Sequence, residues 1–140
     1  MTVPHGIVLD ASAALGWLLN DVDATTQRSI DELLTQGFAL VPELWHSEMA
    51  NALRTCVRTQ RIDLEYVDSA CRLIERLDVR TDVVGAPLRR LTSEAVRHDL
   101  SAYDTSYLLL ARDRGLPLAT LDRQLAKAAE RERIPLALPL

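Results

Sequence analysis

Lysine is nearly absent from this chain: of its 16 basic side chains, all but Lys127 are arginines. Cysteine is scarce too. Cys56 and Cys71 are the only two and form no C-x-x-C, which excludes a zinc ribbon or a thioredoxin-type site. Both fall in apolar, helix-patterned stretches and are expected as buried thiols. No apolar run approaches the ~20 residues of a membrane span. Met1 to Asp10 has neither a basic segment nor a long apolar one, so no secretory signal is predicted and a reducing cytoplasm is the expected setting. There is no internal repeat, low-complexity segment or linker, so the expectation is a single domain over 1–140. A strong charge of one sign is missing as well. With 20 acids against 16 bases the net charge is −4, which offers no global case for a nucleic-acid partner but leaves room for a local basic patch. A hydrophobic fraction of 48% excludes disorder as the overall answer. A chain of this length buries roughly two-thirds of its unfolded surface and needs no disulfide or structural zinc to fold.

What is present is an alternation of short apolar runs and amphipathic helices. Gly6 to Asp10 reads as a buried strand ending in an acid, followed at once by a small-residue helix from Ala11 to Leu19. A second helix is predicted from Thr25 to Gln36, with Ile30, Leu33 and Leu34 inward and Gly37 as its stop. Phe38 to Val41 forms the second strand, closed by Pro42. Helices follow from about Leu44 to Gln60 and from Leu64 to Leu77, the latter with Leu64, Val67, Cys71 and Ile74 at helical spacing. Val79 to Thr81 is a weak strand. Further helices are expected from Gly85 to His98, Ala102 to Arg114 and Arg123 to Arg133. A strand lies at Leu116 to Thr120, and a last, edge strand at Ile134 to Leu138, where prolines tolerate no central place. Strands separated by helices predict an α/β domain with a central, mainly parallel sheet and helices on both faces.

Most carboxylates, Glu65, Asp68, Glu75, Glu130 and Glu132 among them, fall on polar helix faces beside arginines and read as solvated or paired. Four do not. Asp10 directly follows Ile7-Val8-Leu9, at the carboxyl end of a strand, where open α/β sheets bind ligands; an N-cap for the next helix fits the same position. Asp122, after Leu118-Ala119-Thr120-Leu121, carries the same two readings. Glu48 lies on or beside the apolar face marked by Trp45, Met49, Ala52 and Cys56. An ionised group there is costly unless it meets a cation or donors; the alternative is a boundary residue that reaches solvent. Asp104 shares a face with Leu108 and Ala111, and in a first helical turn it also complements the helix dipole. Converging at one end of a parallel sheet, the four would repel one another. A hard divalent ion such as Mg²⁺, which takes a few carboxylate oxygens and keeps several waters, resolves that conflict. Ser12 and Thr120 add hydroxyls at the same strand ends, suited to a carboxylate, a water or a helix cap.

Four blocks carry a family resemblance: Val8-Leu9-Asp10-Ala11-Ser12-Ala13, Pro42-Glu43-Leu44-Trp45-His46-Ser47-Glu48, Leu100-Ser101-Ala102-Tyr103-Asp104-Thr105-Ser106-Tyr107 and Leu118-Ala119-Thr120-Leu121-Asp122. They span almost the whole chain, and together they resemble the PIN-domain ribonucleases, specifically the VapC-type toxins of bacterial toxin–antitoxin pairs. The resemblance implies a three-layer α/β/α domain. It matches Asp10, Glu48, Asp104 and Asp122 to the family's acidic quartet, which holds Mg²⁺ or Mn²⁺, with Asp10 and Asp104 contacting the metal most directly and Glu48 and Asp122 acting through water. Ser12 and Thr120 match supporting positions. It further implies an endoribonuclease with transfer or ribosomal RNA as target, a homodimer, and a VapB-type antitoxin that blocks the cleft.

Hydrolysis by a metal-activated water needs no His or Lys and leaves 5′-phosphate and 3′-hydroxyl ends. His5, His46 and His98 are accordingly read as surface or capping residues. Arg54, Arg58 and Arg61 along the long helix and its exit, with Arg112, Arg114 and Arg123 flanking the Asp104 and Asp122 segments, are candidate phosphate contacts; pairing to nearby acids is their plainer reading. With 4% aromatics, RNA shape rather than base stacking is expected to set substrate choice. A signalling receiver needs a lysine by its acid pocket, and Lys127 lies inside the last helix. A haloacid-dehalogenase-like phosphatase needs D-x-D where this chain has Ser12. The rival that stays open is a PIN-like protein that binds RNA or regulates without turnover. Apolar stripes in the second and third helix regions are the expected dimer or antitoxin surface.

Overall fold

The computed structural model describes residues 5–139. Their elements run β1 (His5–Leu9), α1 (Ala11–Leu18), α2 (Ala24–Gln36), β2 (Gly37–Pro42), α3 (Leu44–Arg58), α4 (Leu64–Glu75), β3 (Val79–Asp82), α5 (Leu88–His98), α6 (Ala102–Arg114), β4 (Leu118–Ala119) and α7 (Arg123–Arg131). Ile7, Val8 and Leu9 of β1 are each at most 3% exposed. Successive strand side chains point to opposite faces, so three buried in a row mean that the sheet is covered on both sides. Ala39, Leu40 and Val41 of β2 repeat the pattern. The four strands lie in the order β3-β2-β1-β4 and every pairing is parallel. This is the α/β architecture expected from the alternation of elements.

α6 packs across β1, β2 and β4, and α2 against β1 and β2. α6 is buried on most of its circumference, through Thr105, Tyr107, Leu108, Leu109, Leu110 and Ala111; each large apolar side chain removed from water there contributes about 1.5–3 kcal/mol. Its ends are marked locally. Ser101 accepts the Asp104 N–H at 3.0 Å, and Gly115 closes the helix in the left-handed conformation, φ 64°. No helix of the described residues is long and apolar enough to cross a membrane.

Several expectations need correction. The fifth helix starts at Leu88, because Gly85 takes φ 65° and Pro87 is extended at the N-cap. The strand expected from Leu116 to Thr120 shrinks to two residues, and Ile134 to Leu138 contributes only one parallel bridge, Leu118 to Leu136; Pro117 and Pro135 lack the N–H groups a longer ladder needs. Cys56 is only half-buried and Cys71 is exposed, since α4 fully buries Ala70 alone and leaves an open groove against α3 lined by Leu53, Val57, Leu64, Val67 and Cys71. The exposed large apolar side chains sit not on α2 and α3 but on α4 (Leu64, Tyr66, Leu73), the loop after β3 (Val83, Val84) and α5 (Leu88, Val96), with Tyr103 on α6.

His98 is not a surface residue, and Glu132 takes the paired of its two readings. His98 is buried, with its Nε2 2.8 Å from Glu132 and 3.3 Å from Glu94. Arg97 and Arg112 contact the same two carboxylates. The histidine and two acids are close enough to hold a metal ion, but two guanidiniums already balance two carboxylates, so the cluster has no negative charge left to neutralise. It joins α5, α6 and the end of α7.

One close approach tests the strand packing. A Cβ built on Gly37 lies 1.7 Å from the His5 carbonyl oxygen, across the β1–β2 pair in which these residues are partners. Gly37→Ala must therefore push the strands apart. It is expected to destabilise the protein by about 1–3 kcal/mol, read as a lower urea midpoint; an unchanged midpoint would contradict this strand pairing.

Candidate active site

The chain moves outward from β1 to β2 to β3, then returns to the other side of β1 to form β4. The carboxyl ends of β1 and β4 are thus neighbours at the point where the strand order reverses, the place where open parallel sheets form a ligand crevice. Register brings Leu9 opposite Ala119, and the Asp10 N–H donates to the Ala119 carbonyl at 3.0 Å. Asp10 and Thr120 follow side by side.

Asp10 is 4% exposed. It occupies the N-cap position of α1, yet its side chain makes no capping bond. Instead Ser12 Oγ donates to its Oδ2 at 2.6 Å and Thr120 Oγ1 donates to the same oxygen at 2.7 Å. The two hydroxyls in turn accept backbone N–H groups, Leu121 at Ser12 (3.1 Å) and Asp122 at Thr120 (3.0 Å). The start of α1 and the entry to α7 are locked together around one carboxylate. Asp122 caps its helix, accepting the Leu125 N–H at 3.0 Å, and its charge reaches Asp10 and Asp104.

Glu48 projects from the second turn of α3, half-buried, and accepts the Tyr107 hydroxyl on Oε1 at 2.6 Å. Asp104 stands in the first turn of α6. Burial, outweighing the Ser12 and Thr120 hydroxyls, pushes the Asp10 carboxyl up, and the charge of Asp122 adds to the rise. Burial likewise raises Glu48 against the pull of the Tyr107 bond, with Asp10 and Asp104 adding repulsion. It raises Asp104 too, aided by Asp122 and Asp10. Asp10 and Asp104 thus feel Asp122, and Glu48 feels Asp10 and Asp104, although no three of the four bring ligand atoms within 4.8 Å of one another among the described residues.

None of the ion pairs among the described residues involves them. Elsewhere the acids are matched: Asp68 with Arg72, Asp78 with Arg80, Asp82 with Arg114, Asp113 with Arg90. A cluster of like charges with no cation, offering only oxygen atoms, has the donor chemistry of a hard divalent ion. A surface depression of about 950 Å³ lies elsewhere, between Leu19, Val57, Arg61, Leu64 and Tyr66. It holds none of the four acids.

Of the candidate phosphate contacts, Arg61 pairs with Asp21, Arg112 with Glu94 and Glu132, and Arg114 with Asp82. Arg54, Arg58 and Arg123 form no ion pair among the described residues, and Arg54 and Arg58 border the α3–α4 groove. Tyr107 is the site residue that sequence reasoning missed. Its signal was a phenol directly before the apolar stretch Leu108-Leu109-Leu110 of a buried helix, which needs an acceptor.

Residues 7–131 match the PIN domain family. The chain is 37% identical over 125 residues to VapC ribonuclease Mb0985 of Mycobacterium bovis, and equally to ribonuclease VapC9 of Mycobacterium tuberculosis, over 89% of this chain and 91% of each relative. Among solved structures, PAE2754 from Pyrobaculum aerophilum is similar with a TM-score of 0.69 and 24% identity, covering 89% of this chain and 84% of that one; that likeness speaks to the fold alone. With the PIN match running from the first strand through the last helix, and more than a third of positions shared with VapC proteins over nearly their full length, this chain belongs to the VapC group of the PIN-domain family.

Proposed function

We propose that this chain is a Mg²⁺- or Mn²⁺-dependent endoribonuclease and the toxin of a toxin–antitoxin pair. The single observation that carries the chemistry is the set of four carboxylates from separate elements, mutually repelling and without a basic partner. The relatives' names as VapC ribonucleases support the substrate class. Asp10 and Asp104 would hold the cation directly, and Glu48 and Asp122 through water. When bound, such an ion supplies a more acidic water and neutralises charge on the scissile phosphate.

The chain's own residues do the positioning. Ser12 and Thr120 hold Asp10 by one oxygen, and their backbone acceptor bonds keep the strand ends in register. Tyr107 holds Glu48. One carboxylate of the set takes the proton of the attacking water. Because water attacks rather than the RNA 2′-hydroxyl, the products carry 5′-phosphate and 3′-hydroxyl ends. Arg54, Arg58 and Arg123 contact backbone phosphates, so binding weakens with salt. The protein acts in the cytoplasm as a single PIN domain and a homodimer. Its VapB-type antitoxin presents an apolar, acidic segment to the α3–α4 groove, which Leu53, Val57, Leu64 and Val67 line together with Arg54 and Arg58.

The test is incubation of the purified protein with total RNA in Mg²⁺ or in EDTA. Discrete cleavage in Mg²⁺, abolished by EDTA, is expected. Retention of RNA without cleavage in either condition would replace this reading with a binding protein.

A further inference from the structure

We propose that Glu94, His98 and Glu132 form a separate metal site, which takes a divalent transition-metal ion such as Zn²⁺ through one imidazole nitrogen and two carboxylates. The inference does not rest on the reading of Asp10, Glu48, Asp104 and Asp122. Three ligand atoms, one from each residue, lie within 4.8 Å of one another. Glu94 and His98 sit one turn apart on α5, and Glu132 directly follows α7. The His98 side chain is only 3% exposed, yet neither of its ring nitrogens makes a hydrogen bond among the described residues. Glu94 Oε2, buried beside it, makes none either. A buried polar atom without a partner is costly, and here two of them, His98 Nε2 and Glu94 Oε2, stand 3.3 Å apart.

The spacing suits ligands better than hydrogen bonds. Nε2 is 2.8 Å from Glu132 Oε1; a donor in line would bond at that distance, so the oxygen sits off the N–H direction. Two ligands held by one ion at about 2.0–2.2 Å each lie roughly 3 Å apart, and three protein ligands leave a fourth position to water. Imidazole with carboxylate favours Zn²⁺ and its neighbours over Mg²⁺, which prefers all-oxygen sites. Arg97 supplies the way in. The charge balance of the cluster holds only while Arg97 Nη1 stays 3.1 Å from Glu132 Oε1 and 3.6 Å from Glu94 Oε2, the two oxygens that an ion would share with His98. Its side chain is 61% exposed and swings into water without crossing the core. Arg112 meanwhile keeps its bond to the other oxygen, Glu94 Oε1, at 3.3 Å. Arg97 is thus a stand-in cation that a divalent ion replaces, tying the end of α5 to the end of α7.

The experiment is titration of the full chain with Zn²⁺, followed through the imidazole ¹⁵N signals of His5, His46 and His98. Excess Mg²⁺ is present to occupy all-oxygen sites. The His98 Nε2 signal is expected to shift within the first equivalent of Zn²⁺, ahead of His5 and His46. Glu132→Gln should weaken Zn²⁺ binding by at least about 10-fold, the lower end of what even an outer-shell partner contributes. Arg97→Ala should tighten it by roughly 2- to 5-fold, the worth of an exposed ion pair that no longer has to be broken. Asp10→Asn should leave the His98 response unchanged.

Should Glu132→Gln or Arg97→Ala fail to fold, the wild-type titration decides alone. A His98 signal unmoved at one equivalent of Zn²⁺, or moved only after those of His5 and His46, overturns the site and leaves the cluster as a set of ion pairs. Loss of the His98 response in Asp10→Asn overturns it as well, because the ion would then belong among the four acids. Weaker Zn²⁺ binding by Arg97→Ala contradicts the exchange of arginine for metal.

Discussion

Asp10→Asn and Asp104→Asn are each expected to lower RNA cleavage by at least on the order of 100-fold, since charge stabilisation at the reacting phosphate fails when a negative ligand is removed. The fold should survive both changes. At Asp10 the reason is specific: Ser12 and Thr120 donate to one oxygen, Oδ2, so the carbonyl oxygen of an asparagine can accept both bonds. Nor is a helix cap lost, because the Asp10 side chain makes no capping bond. In the absence of metal each variant should melt above wild type at neutral pH, as one charge has left a repelling group. A residue that served structure alone predicts the opposite pair of results, activity kept and stability unchanged or lower. RNase rate and metal-free melting temperature, measured together, separate the two.

Removing the cation should produce the second large effect, and its sign depends on pH. Burial raises Asp10 and Asp104 from 3.8, and Glu48 from 4.5, in the folded protein. A carboxyl raised on folding holds its proton more tightly folded than unfolded. Its effect on stability therefore worsens as pH rises from the ordinary value through the folded one, and the full penalty persists above. Other acids push the other way: Asp23, bonded by the Thr26 backbone, Asp78, bonded by Arg80, and Asp113, bonded by Arg90, are lowered and stabilise as pH rises. The comparison is accordingly wild type against Asp10→Asn in EDTA. Their stability difference should widen from acid to neutral pH. At neutral pH, Mg²⁺ at 100 times its dissociation constant should restore about 2.7 kcal/mol to wild type and far less to the variant. In acid, with the carboxyls protonated, Mg²⁺ should do little. Equal Mg²⁺ responses of wild type and variant at neutral pH would contradict a pocket built around Asp10.

The parts of this site that were legible in the sequence are those set by local position. Asp10, Ser12, Thr120 and Asp122 stand within three residues of a strand end, and the reversal of strand order in a parallel sheet brings the ends of β1 and β4 together. Asp104 was legible because a first helical turn and an apolar i+4 neighbour, Leu108, fix where it points. The Tyr107–Glu48 bond was not, because it joins α6 to α3 and depends on how two helices pack, which periodicity does not specify. The same holds for His98. Its partner Glu94 lies one turn away on the same helix, but its closer partner, Glu132, comes from beyond the end of α7. Cys71 misled for a related reason: helical spacing marks a stripe, and only packing decides whether another element covers it. The shortened β4 is a case of local chemistry read too weakly, since Pro117 already limits the ladder.

The central claim is that Asp10, Glu48, Asp104 and Asp122 enclose a divalent cation. Crystals grown with Mn²⁺ and measured for anomalous scattering test it most directly. The account predicts an anomalous peak between the Asp10 and Asp104 carboxylates, absent from crystals of Asp10→Asn. Mn²⁺ bound only elsewhere on the protein, or no peak between these carboxylates at saturating Mn²⁺, would contradict it.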